Sequence, residues 1–243
     1  MRRPQYSLSI FTLCILMCCK QNTSKNAAIE VSGIEEDSIG LQEIVKEPQK
    51  NAVILKSLRD MADTTFVRLA DYSHDFEYDL RYATENNFLK EKVYDCAECY
   101  VRAKTARALL AVNKVFMEGG HKIKFFDCYR PNSVQHKMWK ILPNPQYVAN
   151  PFKGSIHNKG AAVDVTLVDM EGNELDMGTE FDYFGKRAYH DYTDLPQAIL
   201  NNRKLLKETL EANGFWGIRT EWWHYNLSAG SNDKVADFKW PCE

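Results

Sequence analysis

The sequence predicts a domain of mixed strand and helix content behind an N-terminal extension, and three observations carry that expectation. Short stretches rich in β-branched and aromatic residues recur along the chain. Three others repeat apolar residues at steps of three and four, the spacing of a helix with one buried face. Finally, 44% hydrophobic and 12% aromatic residues among 243 can fill a sizeable core. This length suits one domain of ordinary size with extensions, or at most two small ones. A formal net charge of −2 without a long basic run argues against a nucleic-acid partner and leaves a small molecule or a peptide.

Residues 1–18 read as an export signal, with Arg2 and Arg3 as a basic start and Leu8 to Cys18 as an apolar run too short to span a bilayer comfortably. Leu16-Met17-Cys18-Cys19 resembles a bacterial lipobox, Met17 departing from the pattern, so the signal is expected to be a lipoprotein signal with Cys19 acylated at the membrane. An ordinary cleaved signal peptide is the alternative. Residues 19–52 are polar, with an acidic cluster at Glu35, Glu36 and Asp37, and read as a flexible tether before a domain spanning 53–243. The protein is therefore expected to be exported, as a periplasmic or membrane-tethered lipoprotein of a bacterium. Cys96 and Cys99 form a C-x-x-C with no second pair at zinc-knuckle spacing. In an exported chain a disulfide among Cys96, Cys99 and Cys128 is consistent, while the pairing, Cys242 included, stays open because it depends on geometry.

Within the domain, Phe66–Leu69 and Phe76–Tyr82 are strand candidates. Ala103, Ala106, Leu109, Val112 and Phe116 mark a helix that Gly119-Gly120 ends. Lys122–Phe126 then alternates as a strand running into Asp127-Cys128-Tyr129-Arg130-Pro131, where the proline biases Arg130 away from helix and places it at a strand-to-helix corner. A second helix presents Val134, Met138, Ile141 and Leu142, and prolines 143, 145 and 151 break up the next segment. Ala162–Leu167 alternates again, with Val163, Val165 and Leu167 facing a core and Asp164 held rigidly on the other side. Asp194-Leu195-Pro196-Gln197 predicts a helix start with a reciprocal cap, followed by a buried stripe of Leu195, Ala198, Ile199, Leu205, Leu206 and Leu210 and a stop at Gly214. Phe215 to Leu227 is aromatic and strand-like.

Ser155-Ile156-His157-Asn158-Lys159-Gly160-Ala161-Ala162-Val163-Asp164 and Glu221-Trp222-Trp223-His224 carry the chemistry. Two histidines and an aspartate can hold one zinc ion, Zn²⁺, and leave a fourth position open, while a glutamate beside the last ligand can handle the protons of a water there. Gly160 permits the turn that brings His157 back beside Asp164. Residues three apart on a regular strand face opposite sides, so Glu221 must precede the strand of His224 or sit on a bulge. Taken singly, His157 reads as a capping or core histidine, Asp164 as a turn residue, and Trp222 and Trp223 as filling of the sheet; the ensemble argues otherwise. His74, His121, His136 and His190 have no comparable setting and read as surface or packing residues.

The segments S-I-H-N-K-G-A-A-V-D, E-W-W-H and D-C-Y-R-P, together with Arg81-Tyr82-Ala83-Thr84-Glu85-Asn86-Asn87-Phe88, resemble the zinc D-alanyl-D-alanine dipeptidases of the VanX type, relatives of the D-Ala-D-Ala carboxypeptidases. The similarity runs from about Tyr72 to the C-terminus. It implies an α+β fold, a mixed or antiparallel sheet flanked by helices with zinc in a cleft, similar to the hedgehog amino-terminal domain. It also implies His157, Asp164 and His224 as metal ligands, Glu221 as acid/base, Arg130 as transition-state stabiliser, Ser155 as a substrate contact and Asp182 as receiver of the substrate's amine. The implied substrate is the dipeptide D-Ala-D-Ala. Two departures stand out: Cys128 occupies a place where Gly or Ala is usual, and the exported tether is foreign to the cytoplasmic resistance enzymes of the group. The nearest rival reading is a zinc D,D- or L,D-carboxypeptidase acting on peptidoglycan stem peptides. A non-catalytic zinc-stabilised envelope binding domain is a third, against which the retention of Glu221 and Arg130 speaks.

Overall fold

The computed structural model describes residues 55–242; the expected signal segment, Cys19 and the tether lie outside them. A five-stranded mixed sheet organises the domain. Its strands are β2 (Glu77–Tyr78), β4 (His121–Asp127), β5 (Ala162–Asp169), β6 (Phe215–Gly217) and β7 (His224–Leu227), in the order β2-β4-β5-β7-β6. Only the β2–β4 pair is parallel. A separate antiparallel ribbon joins β1 (Phe66–Arg68) to β3 (Tyr100–Arg102). The expected α+β class with a mixed sheet is what is observed.

Three helices follow the apolar periodicity. Helix α1 (Ala103–Glu118) starts and stops as its pattern predicts, with Gly119 at its end, and packs on β4. Helix α3 (Gln197–Ala212) packs on β6 and touches α1. Between them in sequence, α2 (Asn132–Ile141) turns in Met138 and Gln135, while Val134 and Ile141 are only partly covered. On β5, Val163, Val165 and Leu167 join the apolar core, and Asp164 and Thr166 are buried as well, because both faces of this central strand are covered.

Three local expectations are corrected. The segment from Phe76 to Tyr82 pairs only at Glu77–Tyr78, then tightens into a 3₁₀ turn over Arg81–Ala83 that buries Tyr82. Helix α3 starts at Gln197 with Pro196 in the cap position and no side-chain cap, so Asp194 does not perform the reciprocal capping its spacing suggests. Along α3, Ala198 and Leu205 turn outward, and Arg203 occupies a buried place because its guanidinium donates to the carbonyls of Met177, Arg187 and Tyr189.

Each cysteine of the C-x-x-C finds a distant partner: Cys99 bonds Cys128, and Cys96 bonds Cys242. The first bridge joins the residue just before β3 to the residue just after β4, and the second joins segment 231–242 to the loop before β3.

Two consequences are testable. Gly160 has a φ of +71°, and a Cβ there would lie 2.6 Å from the Phe66 ring and 3.3 Å from the Arg102 nitrogen. Gly160→Ala is expected to cost about 2–4 kcal/mol through left-handed strain and overpacking, read by denaturant unfolding. His190, packed against Gly217 and the Tyr225 ring, has its imidazole lowered to about 4, chiefly by burial. Its folded-state value lies below the ordinary one, so its contribution is complete above about pH 6.5 and is lost as the pH falls through about 4. His190→Phe should flatten the loss of stability between pH 7 and pH 4, measured by thermal unfolding across that range.

Candidate metal centre and active site

The metal-ligand candidates are brought together by strand register. Asp164 on β5 stands directly opposite His224 on β7, and the 3₁₀ turn His157–Lys159, closed by Gly160, returns His157 to the same place. His157 Nε2 lies 3.2 Å from His224 Nδ1 and 3.4 Å from Asp164 Oδ1, and His224 Nδ1 lies 2.9 Å from Asp164 Oδ1. Donor atoms bound at about 2.0–2.1 Å to a tetrahedral zinc are about 3.3 Å from one another, so the triangle has the right size.

The hydrogen bonds behind the triangle fix which ring nitrogen of each histidine faces inward. His157 Nδ1 donates to the Cys128 carbonyl at 2.7 Å, and His224 Nε2 donates to Asn226 Oδ1 at 3.0 Å. In neutral rings this leaves two bare nitrogens and a carboxylate oxygen pointing at one another, the donor set that a bound metal ion takes, or that a proton on His224 shares with Asp164 in its place. Burial opposes a charge on Asp164, yet His157 and His224 hold its carboxyl far below the ordinary range. Burial likewise opposes a charge on His224, yet Asp164 raises its imidazole overall. Among the described residues this is the group of His, Cys, Asp and Glu side chains with its ligand atoms within 4.8 Å of one another.

All seven residues singled out in the sequence line one cavity of about 300 Å³: Arg130, Ser155, His157, Asp164, Asp182, Glu221 and His224. Glu221 sits in the turn before β7, the first of the two placements that strand geometry allows. Burial raises its carboxyl above the ordinary value while His224 opposes the shift, the direction that suits a proton acceptor working near neutrality.

Arg130 is held by residues to which the sequence assigns no role. Asp127 takes its Nε and Nη2 at 3.2 and 2.5 Å, Gln135 takes Nη1 at 3.0 Å, and the guanidinium lies 5.1 Å above the Tyr82 ring. A guanidinium has five N–H donors; these three bonds leave two free for a ligand. Asp127 is in turn held by the Tyr94 hydroxyl at 2.6 Å. The D-x-x-R spacing is the signal that could have found Asp127.

Asp182 is a non-glycine residue with a φ of +61°, and both of its carboxylate oxygens accept the Tyr82 hydroxyl at 3.1 Å. Burial, with the charge of Asp164 adding to it, raises its carboxyl well above the ordinary range. The neighbouring Phe181 wedges against Phe126 and Trp223, and Trp222 Nε1 donates to Thr179. The two tryptophans therefore do more than fill the sheet: they dock the loop that presents Asp182. Ser155 reaches the cavity wall, but its hydroxyl donates to Asn158 Oδ1 at 3.1 Å, and Asn158 Nδ2 donates to the Arg130 carbonyl at 2.8 Å.

Known proteins resemble this chain over most of the domain. It is 37% identical over 179 residues to a D-alanyl-D-alanine dipeptidase of Escherichia coli, covering 73% of this chain and 93% of that protein. A D-alanyl-D-alanine dipeptidase of Enterococcus faecalis is 30% identical over 184 residues, covering 67% and 91%. A solved vancomycin-resistance D,D-pentapeptidase in complex with Zn(II) aligns at a TM-score of 0.37 and 15% identity over 53% of this chain and 73% of its own, too remote to add to the assignment. Residues 62–241 match the peptidase M15 family, described as D-ala-D-ala dipeptidase, and the chain belongs to that family of metallopeptidases.

Proposed function

We propose that the protein is a zinc-dependent D,D-dipeptidase that hydrolyses the peptide bond of D-alanyl-D-alanine, in the metabolism of cell-wall peptides. The observation that carries this reading is the convergence of three metal-ligand candidates with Glu221, Arg130 and Asp182 around one small cavity.

His157, Asp164 and His224 would hold Zn²⁺. When bound, zinc supplies Lewis acidity that polarises a carbonyl and makes a water more acidic. Glu221 accepts the proton of the attacking water and returns it to the leaving amine, a role for which its raised carboxyl is suited. The two free N–H groups of Arg130 meet the negative charge that develops on the scissile carbonyl oxygen, and the grip of Asp127 and Gln135 removes the need to reorganise at that moment. Asp182, steadied by Tyr82, receives the free ammonium of the substrate. A carboxyl destabilised by burial gains its full charge when a cation arrives, which couples binding to the presence of that ammonium. Ser155 contributes a hydroxyl at the cavity wall.

The Asp182 end favours a free dipeptide over a stem peptide, whose acylated nitrogen brings no charge to pair with it. Residues 1–18 and Cys19 place the enzyme outside the cytoplasm in this reading, in the periplasm or tethered to a membrane, and the two disulfides suit an oxidising compartment. There it would act on released or scavenged dipeptide rather than on the cytosolic pool.

Glu221→Gln should lower kcat by about 10²–10⁴-fold while the zinc content measured by atomic absorption stays at one per chain; undiminished turnover would exclude the assignment. On the substrate side, free D-Ala-D-Ala should be cleaved in preference to a muramyl pentapeptide, and Asp182→Asn should raise KM for the dipeptide most. A preference for the pentapeptide would transfer the protein to the carboxypeptidase reading.

A further inference from the structure

The C-terminal segment 231–242 has no regular secondary structure, and most of its residues are exposed, yet its bonds go to the residues that flank the site. Ala236 is the pivot: its N–H donates to the Asn158 carbonyl at 2.9 Å, and its own carbonyl accepts the Asn132 N–H at 3.1 Å. Asn158 follows His157, and Asn132 lies two residues after Arg130. The loop closes on itself, because the Arg130 N–H donates to the His157 carbonyl at 3.1 Å and Asn158 Nδ2 donates to the Arg130 carbonyl. One residue of the tail thus bridges the turn that presents a ligand and the corner that presents the arginine.

The neighbours of Ala236 reinforce the bridge. Asp237 Oδ1 accepts the Ser133 N–H at 2.7 Å in the first turn of α2, a ten-residue helix that lacks a side-chain cap at Pro131 and carries the Gln135 that holds Arg130. The Phe238 carbonyl accepts the Tyr129 hydroxyl at 3.1 Å, and Trp240 stacks on Tyr100 with ring centres 5.0 Å apart. A Cβ on Gly154 would come within 2.5 Å of Val235, so the tail also lies against the approach to Ser155. An exposed terminal segment ordinarily frays. Here its last described residue, Cys242, is bonded to Cys96, which anchors the far end.

We propose that residues 231–242 form a positioning strap, fastened by the Cys96–Cys242 disulfide, that acts through Ala236 and Asp237 to hold the His157 turn and the Arg130 corner in mutual register. The strap touches neither substrate nor metal; it limits how far the ligand and the arginine can drift apart. This rests on the dipeptidase reading for its activity measurement only, since retention of the metal reports on the His157 turn independently.

The test compares Asp237→Ala, Asp237→Asn and the double variant Cys96→Ser/Cys242→Ser with the unaltered mature protein. The readouts are steady-state kinetics on D-Ala-D-Ala and competition for zinc against EDTA. A small misplacement of Arg130 acts in the transition state, so kcat should fall by at least about fivefold in Asp237→Ala and in the double variant with KM little changed. Zinc should be lost to EDTA at lower chelator concentration in both, and Asp237→Asn, which keeps an acceptor oxygen, should behave as the unaltered protein. If the double variant fails to fold, Asp237→Ala decides alone. Unchanged kcat and unchanged zinc retention, with at most a lowered Tm, would overturn the strap and reduce the tail to a stabilising element. If the unaltered protein does not cleave D-Ala-D-Ala, the dipeptidase reading fails, and the EDTA competition still decides the strap.

Discussion

Two imidazole nitrogens and a carboxylate oxygen converge on one point, where a positive charge, a shared metal ion or a proton held by His224, must balance them. That demand is created from behind, because the Cys128 carbonyl and Asn226 Oδ1 each take the one N–H that a neutral ring can offer. Bringing such groups together costs electrostatic energy in the absence of a positive charge, so the rest of the domain must hold them there. The antiparallel register of β5 and β7 does so for Asp164 and His224, and the left-handed Gly160 does so for His157.

The same principle organises the arginine. A buried guanidinium is tolerated because Asp127, Gln135 and the face of Tyr82 compensate for its lost water, and Tyr94 in turn fixes Asp127. A charge held this firmly points its remaining donors in a set direction, which is what stabilisation of a developing charge needs. Asp182, which shares Tyr82 with that arginine, is left with one hydroxyl partner and an energetically costly burial. Arg130, with three of its five N–H groups paired, and the under-paired Asp182 thus face the same cavity with opposite charge and different support.

Covalent links carry this order outward. Cys128, whose carbonyl orients His157, is bonded to Cys99 just before β3, and the tail that bridges Asn132 and Asn158 ends in the bond from Cys242 to Cys96. Both halves of the C-x-x-C thus serve the surroundings of the site instead of binding a metal themselves. The unusual residue after Asp127 in the D-C-Y-R-P segment accordingly brings a cross-link to the corner where Arg130 stands.

The sequence by itself determined the helices, the strand at Ala162–Leu167, the corner at Arg130 and the residues that the fold gathers around one cavity. Each of these is written in local period, punctuation or short spacing, which a single stretch of chain reveals. It also narrowed Glu221 to two placements, since the twofold alternation of a strand forbids a third. Only the tertiary structure decided that Asp127 and Gln135 grip the arginine, that Tyr82 meets Asp182 across a separation of 100 residues, and how the cysteines pair. The capping expected at Asp194 failed because the helix starts later, with Pro196 in the cap position, and the strand expected beyond Tyr78 ended early where a 3₁₀ turn buries Tyr82. Contacts between distant segments are chosen by packing and register once the chain is folded, and no local pattern records which partner will be waiting there.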